Sequence, residues 1–276
     1  MPKTREEKIK ELLKTPMLFG LRKLYRYRSM KSQELEGIFT KREIYLPKPN
    51  DFNDPFECRP RLTWHMSGLK RDLWLRKLVK KNNPSANRKT REQLINEFKI
   101  KLTSGTEIIK HSYEQFLNTT GLYCLSEKED DILMWSHYTF GHRGLCIEFD
   151  AIHDAATSGR MLFGQALKVN YSVELRPTVN VMDIGEPEEY QKALLTKSNH
   201  WEYEQEWRII KTEGEGGPGL KPFHPSSLTG VIFGALISPE DRQRLIDWIK
   251  AYPTKIALYQ AKINETKYQL DIEPIL

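Results

Sequence analysis

The chain has 276 residues, 39% hydrophobic and 29% charged, with a net charge of +6. This is the composition of an ordinary soluble protein, and no apolar run approaches the length of a membrane span, which excludes a spanning helix. Cys58, Cys124 and Cys146 stand far apart, two of them inside apolar runs, which reads as free thiols in a reducing compartment. The start, "MPKTREEKIKELLK", has no apolar signal core, so a cytoplasmic protein is expected.

Thr4 followed by Glu7 is a capping box and predicts a helix over 4–15. "LRKLYRYRS" reads as a strand with Tyr25 and Tyr27 on one face and Arg26 and Arg28 on the other. A short helix over 32–39 and a strand at "EIYLPKP" follow, and Asp54 before Pro55 has the form of a helix N-cap. Residues 67–118 read as helical with a polar break at "NNPSANRKT", and Leu69, Leu73, Leu75 and Leu78 form the expected buried side of the first helix. Charge is uneven: residues 1–31 carry +7, residues 68–101 carry +8, and the remainder sums to −9. Such basic segments either recruit RNA or DNA or present a solvated helix face.

After Thr120 short strands take over, at "GLYCLS", "GLCIEFD", "ALKVNYS", "EQEWRIIKT", "LTGVIFG", "KIALYQAKIN" and "YQLDIE", the last two as a hairpin. Between them lie a helix at "DDILMWSHY", a tight turn at "GHRG", a glycine-rich loop at "EGEGGPG" and a helix opened by Ser238, Pro239 and Glu240. The acidic group Glu127, Glu129, Asp130 and Asp131 suits the N-terminal end of the helix beginning near Ile132. Strands and helices mix without strict alternation. The expected fold is therefore a single α+β domain, with a mixed, mostly antiparallel sheet or sheets, flanking helices and a helical insertion at 67–118.

Nucleotide-binding glycine motifs, H-E-x-x-H, C-x-x-C and G-x-S-x-G are all missing. His137 and His142 lie five apart without a third donor nearby, so no metal site is expected. Read with period two, "EYEQEWR" puts Gln205, Trp207 and Ile209 on a core face and Glu204, Glu206 and Arg208 on the other. That second face is a wet ladder, a site that needs carboxylates, or a buried Glu206–Arg208 pair. With Tyr25, Arg26, Tyr27, Ser136, His137, Tyr138, His142 and Arg143, these carboxylates suit a nucleotide. Rings stack on a base, arginine pairs with phosphate, and a carboxylate binds ribose hydroxyls. Tyr25, Arg26, His137, Arg143 and Glu206 are expected to line one concavity. The candidate catalytic residues are Glu206, Glu204 and His137. Two alternatives stand beside this reading: a metal-independent nuclease using His137, His142 and Arg143, and a non-catalytic interaction module.

Together, "LYRYRS", "FNDPFE", "LSEKEDDILMWSHYTFGHRGLCIEFD", "WEYEQEWRII" and "VIFG" resemble a bacterial and phage family, domain of unknown function 2971. The resemblance leaves out the basic helical block and implies a role in phage defence for some members. A second resemblance is to mono-ADP-ribosyltransferases, which place an arginine, a serine or tyrosine, and an E-x-E in the order of Arg26, Ser136 and Glu204-x-Glu206. Ser136 departs from that pattern, because it falls on a predicted helix rather than a strand. The resemblance implies NAD as substrate. Glu206 would stabilise an oxocarbenium-like state through a ribose hydroxyl, Glu204 would activate the acceptor or a water, Arg26 would pair with the pyrophosphate, and a tyrosine of the first strand would stack on nicotinamide.

Overall fold

A computed structural model describes residues 14–63, 68–102, 106–152, 162–173 and 175–275. Eight strands form one sheet: β1 (Lys23–Arg28), β4 (Gly121–Ser126), β5 (Leu145–Asp150), β6 (Leu167–Lys168), β10 (Glu206–Lys211), β12 (Leu228–Phe233), β13 (Ala257–Ile263) and β14 (Leu270–Pro274). Three small pairs flank it: β2 (Glu43–Leu46) with β11 (Gly219–Pro222), β3 (Arg61–Thr63) with β8 (Thr178–Asn180), and β7 (Asn170–Ser172) with β9 (Thr196–Ser198). The order across the main sheet is β14-β13-β12-β5-β1-β4-β10-β6. All its neighbours are antiparallel except β12 and β13.

Period-two alternation assigns the two faces. Leu24, Tyr123, Leu125, Ile147, Phe149, Trp207 and Ile209 point to one side and pack against α1 (Leu35–Thr40) and the helix Pro239–Lys250. On the other side Leu122 and Ile210 meet the helix Thr106–Asn118, while Tyr25, Tyr27, Cys146 and Ile232 meet the helix Ile132–Tyr138. Each large apolar side chain buried this way contributes about 1.5–3 kcal/mol. Between the two apolar clusters of the second face lie Cys124, Glu206 and Arg208, and the candidate site is there. The architecture is α+β, with helices against both faces of the sheet.

Residues 68–118 are mostly helical, as the pattern predicts: α2 (Gly68–Asn82), α3 (Arg88–Leu102) and α4 (Thr106–Asn118). The buried seam of α2 differs from the expected one. Leu75 and Val79 close a small core with Ile95, whereas Leu69 and Leu73 are 76% and 54% exposed. A helix that packs chiefly on one partner covers a narrow i, i+4 stripe, and Leu69 and Leu73 lie off it. Several basic side chains of this block have acidic partners, among them Lys81 with Glu213 and Lys99 with Asp72.

Two local expectations fail. Asp54 opens no helix: its Oδ1 accepts the Phe56 N–H at 2.9 Å, and Cys58 takes a left-handed φ of 53°, so the chain turns instead. Aspartate offers its own backbone this alternative to helix. The strand also starts later than its alternation suggests. Residues Asn199–Glu204 form a 3-10 helix capped by Ser198, and Gln205 has φ 41°, so only Glu206 onward is β10. The helix expected over 4–15 falls, but for its last two residues, outside the described residues. Among the described residues no helix is long and apolar enough to cross a membrane.

Candidate active site

The remaining site helices are α5 (Ile132–Tyr138), α6 (Pro187–Leu194) and α7 (Pro239–Lys250). Asp131 caps α5 by accepting the N–H groups of Leu133 and Met134, so the acidic run before it acts as expected from a helix terminus. β1 pairs along its whole length with β5, and β4 along its whole length with β10. Toward each other β1 and β4 make a single rung, Tyr25 opposite Ser126. The sheet therefore opens at its centre, and a cavity of about 280 Å³ occupies the opening. Arg26 reaches across it, its Nη1 donating to the Cys124 carbonyl at 2.6 Å.

One wall of this cavity is a buried ionic cluster. Lys197, 7% exposed, places its Nζ 2.6 Å from Glu204, 3.0 Å from Glu206 and 3.6 Å from Glu57. Arg208, fully buried, donates through Nε to Glu206 Oε1 at 2.7 Å and through Nη2 to Glu57, while its Nη1 satisfies the Leu194 carbonyl at the end of α6. The left-handed turn at Gln205 swings Glu204 back toward Lys197 although it is not on the strand. Tyr138 of α5 donates to Glu204 Oε1 at 2.6 Å, and the Glu206 N–H is taken by the Tyr171 hydroxyl. Of the three readings open for "EYEQEWR", the wet ladder is therefore overturned. Glu206 and Arg208 form a buried pair, and their network also borders a cavity.

Three carboxylates face two cations, so one negative charge is left over in a desolvated place. Burial raises Glu57 and Glu204 above the ordinary carboxylate range, and neighbouring Glu206 adds to the rise. Glu206 goes the other way. Desolvation would raise it, but Arg208 and Lys197 hold it well below that range. Lys197 is itself raised, because its three carboxylates outweigh the burial that would lower it. A proton arriving at the cluster thus goes to Glu204 or Glu57, and Glu206 stays charged.

The opposite wall is cationic. The guanidinium carbons of Arg26 and Arg28 lie 4.8 and 5.9 Å from the centre of the Tyr123 ring. Neither arginine has a carboxylate partner among the described residues. Burial, with Arg26 alongside, pulls Arg28 down to about 10. The hydroxyls of Tyr25 and Tyr27 are directed to Glu148 and to the Lys128 carbonyl, so these two present mainly ring and backbone to the cavity.

Of the five residues expected to converge, Tyr25, Arg26 and Glu206 line this one cavity, across 182 positions of sequence, and so do the candidates Tyr27, Tyr138 and Glu204. The rest do not. Ser136 and His137 lie on the exposed side of α5, with His137 Nδ1 3.1 Å from the Tyr203 hydroxyl. His142 stacks on Trp135, where burial lowers its pKa, and Arg143 is exposed and folds back onto the Gly141 carbonyl. The physical reason is the helical period: along "MWSHY", Met134 and Tyr138 share the inward side while Ser136 and His137 turn away. Glu57, Arg28 and Lys197 also line the cavity or its ionic wall, although they are not among the candidates that the sequence offers. Glu57 stands just after Asp54 and Pro55, a pair that reads as the start of a helix and not as a site. Lys197, in "LLTKSNH", carried no periodic signal that a lysine would be buried there.

Fold and site define an α+β protein whose main sheet opens around a cavity walled by buried carboxylates on one side and the guanidiniums of Arg26 and Arg28 on the other. Residues 134–209 match the family described as "Protein of unknown function (DUF2971)", which is the first resemblance read from the sequence. The matched stretch holds Tyr138, Lys197, Glu204, Glu206 and Arg208, and leaves β1 and Glu57 outside. No curated protein and no solved structure matches the chain.

Proposed function

We propose that the chain is a nucleotide-handling enzyme that breaks the bond between nicotinamide and ribose in NAD, passing ADP-ribose to an acceptor or to water. The observation that carries this reading is the convergence of Arg26, Arg28, Tyr138, Glu204 and Glu206 on one opening in the sheet. As the C1′–N bond breaks, nicotinamide leaves with the electron pair and positive charge develops on the ribose. The unbalanced negative charge of the cluster favours that charge, and the low-dielectric setting strengthens the effect. Arg26 and Arg28 suit the phosphates.

Glu204 keeps the role that the resemblance implies, and the role of Glu206 differs from it. Arg208 and Lys197 hold Glu206 ionised, below the ordinary carboxylate range, so it acts through its field and holds the cluster together. Glu204, with its raised pKa and its bond to Tyr138, is the proton acceptor. It takes the proton from the acceptor hydroxyl or water as the new C1′–O bond forms. At the low end of the size of ligand sites, the cavity suits the reacting end of the dinucleotide rather than all of it. The test is to incubate the pure protein with NAD and measure free nicotinamide, beside Glu204→Gln.

A further inference from the structure

Glu57 and Lys197 have a second side. A cavity of about 680 Å³ is lined by the same two residues and by the segments around Phe56, Arg176 and Trp201. Its chemistry is distinct from that of the smaller cavity. Phe56 is 65% exposed, with the Arg176 guanidinium 5.9 Å from its ring centre. Trp201 is half-buried, with Lys197 Nζ 5.1 Å from its ring. Of the other cations on this lining, Arg59 is engaged by Glu114 and Asn50, and Lys192 by Glu189. Arg61 and Arg176 pair with no carboxylate among the described residues.

The cavity thus sets two guanidiniums without a carboxylate partner among the described residues, one of them donating to the Arg59 carbonyl at 3.3 Å, beside two accessible aromatic rings. A small inorganic anion would leave the rings uncovered, and a purely apolar ligand would desolvate the guanidiniums without return. A planar ring joined to a phosphate satisfies both. We propose that this cavity is a binding site for a nucleobase carrying its phosphate, taken either as a mononucleotide or as an unpaired nucleotide of a single-stranded nucleic acid. The base lies against Trp201, and the phosphate on Arg61 and Arg176. The site is separate from the basic helices α2 and α3, and it does not depend on any chemistry in the smaller cavity. On the reading proposed above, its occupant is the acceptor.

The experiment uses the full chain. Fluorescence anisotropy follows a labelled single-stranded hexanucleotide, and titration calorimetry follows adenosine monophosphate, both at low salt. The variants are Arg61→Glu with Arg176→Glu, and Trp201→Ala; thermal melts confirm that they fold. Saturable binding of at least one probe is expected, weakened tenfold or more by the double charge reversal and by Trp201→Ala. The salt dependence of oligonucleotide binding should also flatten in the double variant. The proposal is overturned if neither probe saturates, if the double reversal leaves affinity unchanged, or if inorganic pyrophosphate competes as well as adenosine monophosphate. A chain that binds the probes but leaves NAD intact removes the catalytic proposal and keeps this one.

Discussion

Replacing Lys197 by methionine removes the ammonium that lies 2.6, 3.0 and 3.6 Å from three buried carboxylates. Methionine keeps much of the volume, so the change is mainly one of charge. Deleting one partner of a buried ionic pair costs about 3–5 kcal/mol, because the remaining charges stay desolvated. An unfolding entropy of about 2.1 cal/mol/K per residue gives roughly 0.6 kcal/mol/K for the chain, so melting should fall by roughly 5–9 °C at pH 8. The pH dependence is more specific. Without Lys197, Glu204 rises further above its ordinary value near 4.5, so the native state holds a proton that the unfolded state has released. Above that ordinary value, stability then falls as pH climbs, by about 1.4 kcal/mol per unit until the raised value is passed. Calorimetry at pH 5 and pH 8 on both proteins should therefore give a small difference at pH 5 and the full one at pH 8. An equal difference at the two values, or none, would refute the argument that these carboxylates are buried, charged and held by Lys197.

Glu206→Gln removes the carboxylate shared by Arg208 and Lys197 and should cost about 3 kcal/mol in a chemical melt, whereas Glu204→Gln should stay within about 1 kcal/mol of the parent. Glu204→Gln should nonetheless lower nicotinamide release by about 10²–10⁴-fold, the usual worth of a positioned base. Tyr138→Phe deletes the 2.6 Å bond that helps hold Glu204 ionised, so turnover should fall about tenfold and the acid limb of its pH profile should move to higher pH. Gly144→Ala would bring a Cβ within 2.1 Å of the Arg28 carbonyl at the end of β1, and a melt should show a loss of more than about 2 kcal/mol.

Much of this fold could be read from alternation. The core strands β1, β4, β5, β10 and β12 follow their apolar pattern, and Asp131 and Ser238 cap helices where their sequence neighbours say they should. The opening between β1 and β4 could not be read, because strand pairing depends on partners a hundred residues away. The tyrosines and arginines of "LYRYR" gave the right two faces, but not the fact that a cavity would lie between β1 and β4. Glu204 and Glu206 were correctly placed together for a partly wrong reason. They meet through the left-handed Gln205 and the shared Lys197, and not by adjacency on a strand. Charge patterning along a chain marks solvated faces well, but a buried lysine among three carboxylates is a tertiary event without local periodicity. His137 and Ser136 show the opposite error: chemically suggestive residues on the outward side of a short helix.

If the carboxylate-walled opening cleaves NAD as proposed, the purified chain releases nicotinamide, followed by chromatography over hours. Release is expected from the parent protein, retained in His137→Ala, reduced in Tyr138→Phe and nearly abolished in a Glu204→Gln protein that still melts like the parent. NAD left intact by the folded parent, or cleaved equally well after Glu204→Gln, would contradict it.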